Sequence, residues 1–169
     1  MNKVLILVDL QNDFITGSLG SVEAQSIIPN IITLIDSWEG KIFLTKDTHD
    51  EKYLQTLEGR YLPVEHCIAG TSGFEIDSRI NEALKGREVT TVYKHTFGSM
   101  GLTSMLNVGD EIYICGLCTD ICVISNALLL RAKYPENKII CIANCCAGSS
   151  IENHKAALRV MESCQIELI

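Results

Sequence analysis

Positive charge is in short supply in this chain. Its 14 lysines and arginines face 21 aspartates and glutamates, for a formal net charge of -7 and a pI near 5.0. No basic stripe is available to neutralise phosphates, which excludes a nucleic-acid footprint and leaves small molecules or proteins as partners. Also missing is any run of about 18 apolar residues, so no membrane-spanning helix is expected. The first apolar stretch stops at Asp9, too early for a secretory signal core with its cleavage site. Linkers, internal repeats and low-complexity tracts are absent as well, so residues 1–169 read as one domain. A domain of this size buries roughly two thirds of its unfolded surface and needs no disulfide or structural metal to hold it.

Cysteine, by contrast, is plentiful, with 8 residues. Without a secretory signal, these point to thiols in a reducing cytoplasm, and Cys115 and Cys141, inside apolar runs, read as small buried hydrophobes.

Strand-like runs alternate with helix-period segments along the whole chain. The strand patterns are Lys3 to Val8, Lys41 to Lys46, Val89 to Tyr93, Glu111 to Cys115, Lys138 to Ala143 and Gln165 to Leu168. Between them lie helix patterns at Gln25 to Trp38, Asp77 to Leu84, Leu102 to Leu106, Thr119 to Lys133 and Ile151 to Cys164, the last opened by a capping box of Ser149 and Glu152. Such alternation predicts an α/β protein: a single-domain, Rossmann-like, three-layer α/β/α fold around a central six-stranded parallel sheet. From Thr48 to Gly73 neither period is sustained, which marks a lid or binding loop.

Three strand ends carry reactive chemistry. Asp9 follows the first strand, Lys94 the third, and Cys122 lies in the turn Gly116-Leu117-Cys118-Thr119-Asp120-Ile121-Cys122-Val123 between the fourth strand and its helix. With Thr119 as N-cap, the unpaired N–H groups and positive dipole end of that helix favour a thiolate at Cys122. In a parallel sheet all three fall at the carboxyl edge, where open α/β sheets hold ligands. Each has a plain explanation taken alone: a cap, a solvated strand end, a buried cysteine. Together they supply a nucleophile, a proton carrier and a positive environment, the requirements of thiol-based hydrolysis. A thiol redox or regulatory binding protein is the alternative from another class, since Cys118 and Cys122 are four apart. In the irregular stretch, Asp47-Thr48-His49 places two side chains on one face if the backbone stays extended, a pattern that is common by chance.

The chain resembles the isochorismatase-like cysteine hydrolases, and among them the nicotinamidases, over nearly its whole length. The resemblance rests on Val8-Asp9-Leu10-Gln11-Asn12-Asp13-Phe14, on Lys94, on the turn around Cys122, on His154-x-x-Ala157-Leu158-x-x-Met161, and on His66-Cys67-Ile68-Ala69-Gly70-Thr71-Ser72-Gly73. It implies that Asp9 is general base and acid, Cys122 the nucleophile, and Lys94 the cation between them. It further implies a cis Leu117-Cys118 bond that aims the backbone N–H groups of Cys118 and Cys122 at an oxyanion. A divalent metal is implied at Asp47, His49 and His66, with Glu58 as the variable ligand: zinc, with iron or manganese as alternatives.

The implied substrate is a small amide, nicotinamide first, held by ring nitrogen to metal, and the implied assembly is a homo-oligomer, dimer or tetramer. Another amide or carbamoyl hydrolase, or an isochorismatase, is the alternative within the family. An aromatic residue usual before the last metal histidine is replaced by Glu65, so Leu62 or Tyr61, with Phe14, is expected to wall the substrate ring. A second tyrosine usual after the lysine is missing, and Asn144 stands where aspartate is usual; His95 and His154 are read as structural.

Overall fold

The computed structural model describes residues 2–169. Six parallel strands form one sheet in the order β3-β2-β1-β4-β5-β6, with β1 at Lys3–Val8, β2 at Lys41–Asp47, β3 at Val89–Lys94, β4 at Glu111–Leu117, β5 at Ile139–Ala147 and β6 at Glu167–Leu168. The central strands read as unbroken apolar runs because both faces are covered. Leu5, Ile6 and Leu7 of β1 are fully buried, as are Ile112 and Ile114 of β4. The helices are α1 (Asn12–Ile15), α2 (Val22–Ser26), α3 (Ile28–Ser37), α4 (Leu57–Tyr61), α5 (Ser78–Ala83), α6 (Met100–Thr103), α7 (Ile124–Lys133) and α8 (Ile151–Ser163). α3 packs with α5 and α7 with α8, giving the expected layers on the two sides of the sheet.

The order reverses between β1 and β4, and a crevice at such a switch point is where open α/β sheets take ligands. Gly116 lets the two strands meet there. It pairs with Val8, has φ near 127°, and a Cβ on it would fall on the Val8 carbonyl oxygen. Expecting β4 to stop at Cys115 was therefore short: the glycine continues the ladder to Leu117. β2 and β3 also run one residue further than expected, so that Asp47 and Lys94 are register partners.

Other boundaries moved for local reasons. The helix expected over Gln25 to Trp38 divides at Ile27 because Pro29, in the first turn of α3, has no N–H to give and its ring would strike the carbonyl of Gln25. α6 starts at Met100, capped by Ser99 Oγ, which accepts from Leu102 N–H at 3.1 Å. α8 is capped by Ser150, not Ser149, because the Ser149 hydroxyl and N–H both bond the Asp120 carboxylate, at 2.5 and 2.7 Å. β5 extends to Ala147, and β6 begins only after Gln165, whose φ of 63° breaks the strand. The stretch Thr48 to Gly73 contains a 3-10 turn at Tyr53–Gln55 and α4. Among the described residues no helix is long and apolar enough to cross a membrane.

Candidate active site

Asp9 leaves β1 with a left-handed φ of 50°, a conformation an aspartate tolerates better than most residues. Its N–H meets the carbonyl and hydroxyl oxygens of Thr45, both at 3.2 Å, and Thr45 Oγ1 donates to Asp9 Oδ1 at 2.6 Å. The second carboxylate oxygen, Oδ2, lies 2.6 Å from Lys94 Nζ, and both side chains are essentially sealed from water. That ion contact lacks hydrogen-bond direction, so Oδ2 keeps acceptor capacity for another partner. Lys94 Nζ also donates to Asp47 Oδ1 and the Thr96 carbonyl, each at 3.2 Å, and to Cys122 Sγ at 3.4 Å. Three distant segments thus place a carboxylate, an ammonium and a thiol in mutual reach.

The turn bearing Cys122 differs from the expected helix start. Residues Thr119–Val123 form a π turn in which the N–H groups of Ile121 and Val123 both reach the Cys118 carbonyl, at 3.0 and 3.1 Å. Thr119 makes no cap; its hydroxyl bonds His154 Nδ1 at 2.7 Å. The Leu117-Cys118 peptide is cis, as the resemblance implied. Asn126 steadies the turn from below, donating to the Cys122 carbonyl at 2.8 Å and accepting from Ser99 N–H at 2.9 Å.

Burial pushes the Cys122 thiol well above its ordinary pKa, and the Asp9 charge adds to this more than Lys94 relieves it. Desolvation and a neighbouring carboxylate thus oppose the thiolate that the dipole of the turn was expected to favour. Burial also raises Asp9 against the opposing pull of Lys94. Burial would lower Lys94, but Asp9, Cys122 and Asp47 overcome it and hold the ammonium above its ordinary value. A carboxylate and the thiol, both in contact with one buried ammonium, give the sulfur's proton an acceptor close by.

Asp47, His49, Glu58 and His66 come together as expected, one ligand atom from each lying within 4.8 Å of all the others. His49 Nε2 is 3.0 Å from Asp47 Oδ2 and 3.7 Å from Glu58 Oε1; His66 Nε2 is 3.5 and 3.6 Å from the same two oxygens. Ligands about 2.0–2.2 Å from one zinc-sized ion stand about 3–3.5 Å apart, so these spacings fit such an ion. The outer side fits too, since His66 Nδ1–H donates to the Val64 carbonyl at 2.8 Å and leaves Nε2 as the free lone pair. His66 is pushed up to about 10: burial would lower it, but Asp47 and Glu58 prevail. Burial alone would raise Asp47, yet the bonds from His49 and His66 and the Lys94 charge hold it well below the usual carboxylate range. Asp47 and Glu58 thus favour positive charge between them, which a divalent ion would supply in place of the proton on His66 Nε2.

A cavity of about 200 Å³ joins the two groups, with Cys118, Ile121 and Cys122 on one side, Asp47, Glu58 and His66 on another, and Phe14, Leu19, Leu62, Phe97 and Ser149 completing the wall. Phe14 packs on the His66 ring with centroids 5.5 Å apart. Phe14 and Leu62 therefore line this cavity, whereas Tyr61, 84% exposed, stays outside.

Phe97, Thr45, Gln11, Asp13 and Asn126 were missed. Gln11 is fully buried and clamps the Asp47 peptide, donating to its carbonyl and accepting from its N–H, both at 2.8 Å. Asp13 accepts from the N–H of Cys67, next to His66, at 2.8 Å. The one signal for these two was the density of polar residues directly after Val8.

The isochorismatase domain model matches residues 3–169. Over 99% of the chain and 93% of its own length, the nicotinamidase of Schizosaccharomyces pombe is 26% identical. The crystal structure of a nicotinamidase/pyrazinamidase from Bacillus subtilis superposes with a TM-score of 0.86 at 26% identity, covering 99% of both chains. That of a pyrazinamidase from Pyrococcus horikoshii in complex with zinc gives 0.83 at 26% identity, over 100% of this chain and 99% of the other.

Proposed function

The chain belongs to the isochorismatase family, and from that premise we propose that it is a metal-assisted cysteine amidohydrolase, a nicotinamidase that converts nicotinamide and water to nicotinate and ammonia. The observation that carries the reading is one small cavity bounded on one side by Cys122, with Lys94 and Asp9 behind it, and on another by the Asp47, His49, Glu58, His66 cluster. A volume of about 200 Å³ is smaller than the roughly 300 Å³ at which drug-sized pockets begin, and suits one ring with a carboxamide.

Cys122 Sγ attacks the amide carbonyl carbon and its proton passes to Asp9 Oδ2, the oxygen with acceptor capacity to spare. The backbone N–H groups of Cys118 and Cys122 receive the carbonyl oxygen as it becomes negative. Asp9 then returns the proton to the departing nitrogen, ammonia leaves, and the acyl group stays on sulfur as a thioester. Water, deprotonated by Asp9, attacks that thioester, and nicotinate departs as the thiol is restored. Lys94 remains charged throughout and holds Asp9 and Cys122 in register.

Asp47, His49, Glu58 and His66 would hold a divalent ion, zinc by its donor set and by the zinc-bound pyrazinamidase relative, which supplies a coordination site for a ring nitrogen. The same reading makes the chain a cytoplasmic enzyme of NAD salvage, consistent with its eight free cysteines. It also makes it a homo-oligomer, for which Met100 and Val108, both exposed, offer apolar surface.

Ammonia release is the test, from nicotinamide beside a panel of small aliphatic and carbocyclic amides, on chelated protein resupplied with zinc, manganese or iron. Turnover of nicotinamide that depends on a metal is the expected result. A folded protein that releases ammonia from other amides but not from nicotinamide, with any of the three ions, refutes the substrate.

A further inference from the structure

His154 has no part in the chemistry described above, yet it reaches the turn that carries the nucleophile. It stands half-buried in the first turn of α8, and its Nδ1 lies 2.7 Å from the Thr119 hydroxyl oxygen, in hydrogen-bond contact. Thr119 is fully buried, and its hydroxyl has no other hydrogen-bond partner among the described residues. The junction of β5 and α8 is pressed against the turn at this point: a Cβ on Gly148 would lie 2.8 Å from Asp120 Oδ1 and equally close to the Cβ and N of His154. Asp120 is pinned to the same junction by the N–H and hydroxyl of Ser149.

Threonine is a strong N-cap residue, and a regular helix opening at Thr119 would have its hydroxyl accept the backbone N–H of Ile121 or Cys122. The observed turn is different. Cys118 holds the cap position, its carbonyl accepts from the N–H groups of Ile121 and Val123, and the N–H of Cys122 between them is passed over. An α-helical ladder from Cys118 would instead give that carbonyl the Cys122 N–H. Either regular opening competes for the N–H that the oxyanion needs.

Resting on the cysteine-hydrolase reading above, we propose that His154 is a positioning residue: by holding the Thr119 hydroxyl toward α8, it keeps that oxygen from capping the helix and leaves the Cys122 N–H free for the oxyanion. His154 lies outside the cavity wall and acts through Thr119. Without it, the buried hydroxyl is costly to leave unpaired and turns to a backbone donor of its own turn, the Cys122 N–H.

The test measures ammonia release by the metal-loaded native enzyme, His154→Leu, and the double variant His154→Leu/Thr119→Val, from nicotinamide or whichever amide of the panel is turned over. Iodoacetamide labelling, read at the Cys122 peptide, reports whether the sulfur is still in place. Outright loss of one oxyanion donor lowers kcat by about 10²–10³, so His154→Leu should lower it by about tenfold or more, with KM within about threefold and Cys122 labelled as in the native enzyme. The double variant has no hydroxyl to redirect, and its kcat should rise about fivefold or more above that of His154→Leu. A part confined to packing gives the opposite order, since the double variant changes one more buried side chain. Should His154→Leu not fold, His154→Phe, nearer in shape, carries the same comparison. A double variant no faster than the single one, or a single variant within about twofold of native kcat, overturns the role of His154 and leaves the hydrolase reading standing. If the native enzyme releases ammonia from no amide, that reading falls and the role with it.

Discussion

Replacing Lys94 by methionine removes the charge but keeps most of the side chain's length, and its effect on stability follows from what surrounds the ammonium. Nζ is 2.6 Å from Asp9, 3.2 Å from Asp47 and 3.4 Å from Cys122, in a place water does not reach. Breaking a buried ion pair by deleting one partner costs about 3–5 kcal/mol because the other is left uncompensated. Against a total of about 5–15 kcal/mol that is a large loss, and at a urea slope near 2 kcal/mol/M it lowers the midpoint by about 1.5–2.5 M.

The loss has a sign in pH. Asp9 already sits above its unfolded value of 3.8, and removing the cation raises it further. A carboxyl group raised in the folded state contributes stability that is fully present below the unfolded value and is lost as pH rises through the folded one. Lys94 in the native protein is likewise raised, so its contribution is complete below 10.5 and holds across neutrality. Lys94→Met should therefore nearly match the native protein near pH 4 and fall behind it as pH rises toward 7, by at most about 1.4 kcal/mol per pH unit. Urea unfolding of both proteins after chelation, followed by circular dichroism at several pH values, measures this. Adding Asp9→Asn to Lys94→Met should restore most of the stability and none of the activity. A deficit that does not vary with pH, or one below about 1 kcal/mol throughout, would refute the assignment of an uncompensated carboxylate.

Three more outcomes are expected. Cys122→Ala should reduce ammonia release to background, whereas Cys118→Ala, whose part is played by its backbone, should keep kcat within about tenfold, a loss of no more than about 1.4 kcal/mol; the reverse pattern, measured in one coupled assay, would exchange their roles. His49→Ala should lose most of its bound metal by elemental analysis while Cys122 still reacts with iodoacetamide. Thr45→Val deletes the donor to Asp9 Oδ1 at nearly constant volume and should cost about 1.5–3 kcal/mol by thermal unfolding, the range for a bond to a charged group.

The sheet was readable because continuous apolar runs alternating with helical periods have few other solutions, and the reacting trio because charged or thiol residues directly after such runs must emerge at one edge. What surrounds them was not. Thr45 is an ordinary residue for a strand, and nothing local says that its hydroxyl faces Asp9. Ser149 and Ser150 are equally good caps on paper; the choice is made by Asp120, 29 residues away, which takes Ser149 for itself. Pro29 marks the division of the helix over Gln25 to Trp38 by a local rule, since its ring cannot follow a continuous helical turn. The charge state of Cys122 depends on complete burial beside Asp9, which no spacing reveals.

The two halves of the site are not anchored alike. Asp9, Asp47 and Lys94 stand at the ends of ladder-bonded strands, while Glu58, Leu62 and His66 hang on the connection between β2 and α5, where α4 is the longest regular element at 5 residues. Segments with few ladder bonds open at lower free energy than central strands do. Warming should accordingly unroof this enzyme before it melts: below the main transition the ion departs and the sulfur becomes easier to alkylate, while the floor, and the far-ultraviolet spectrum it dominates, stay as they were.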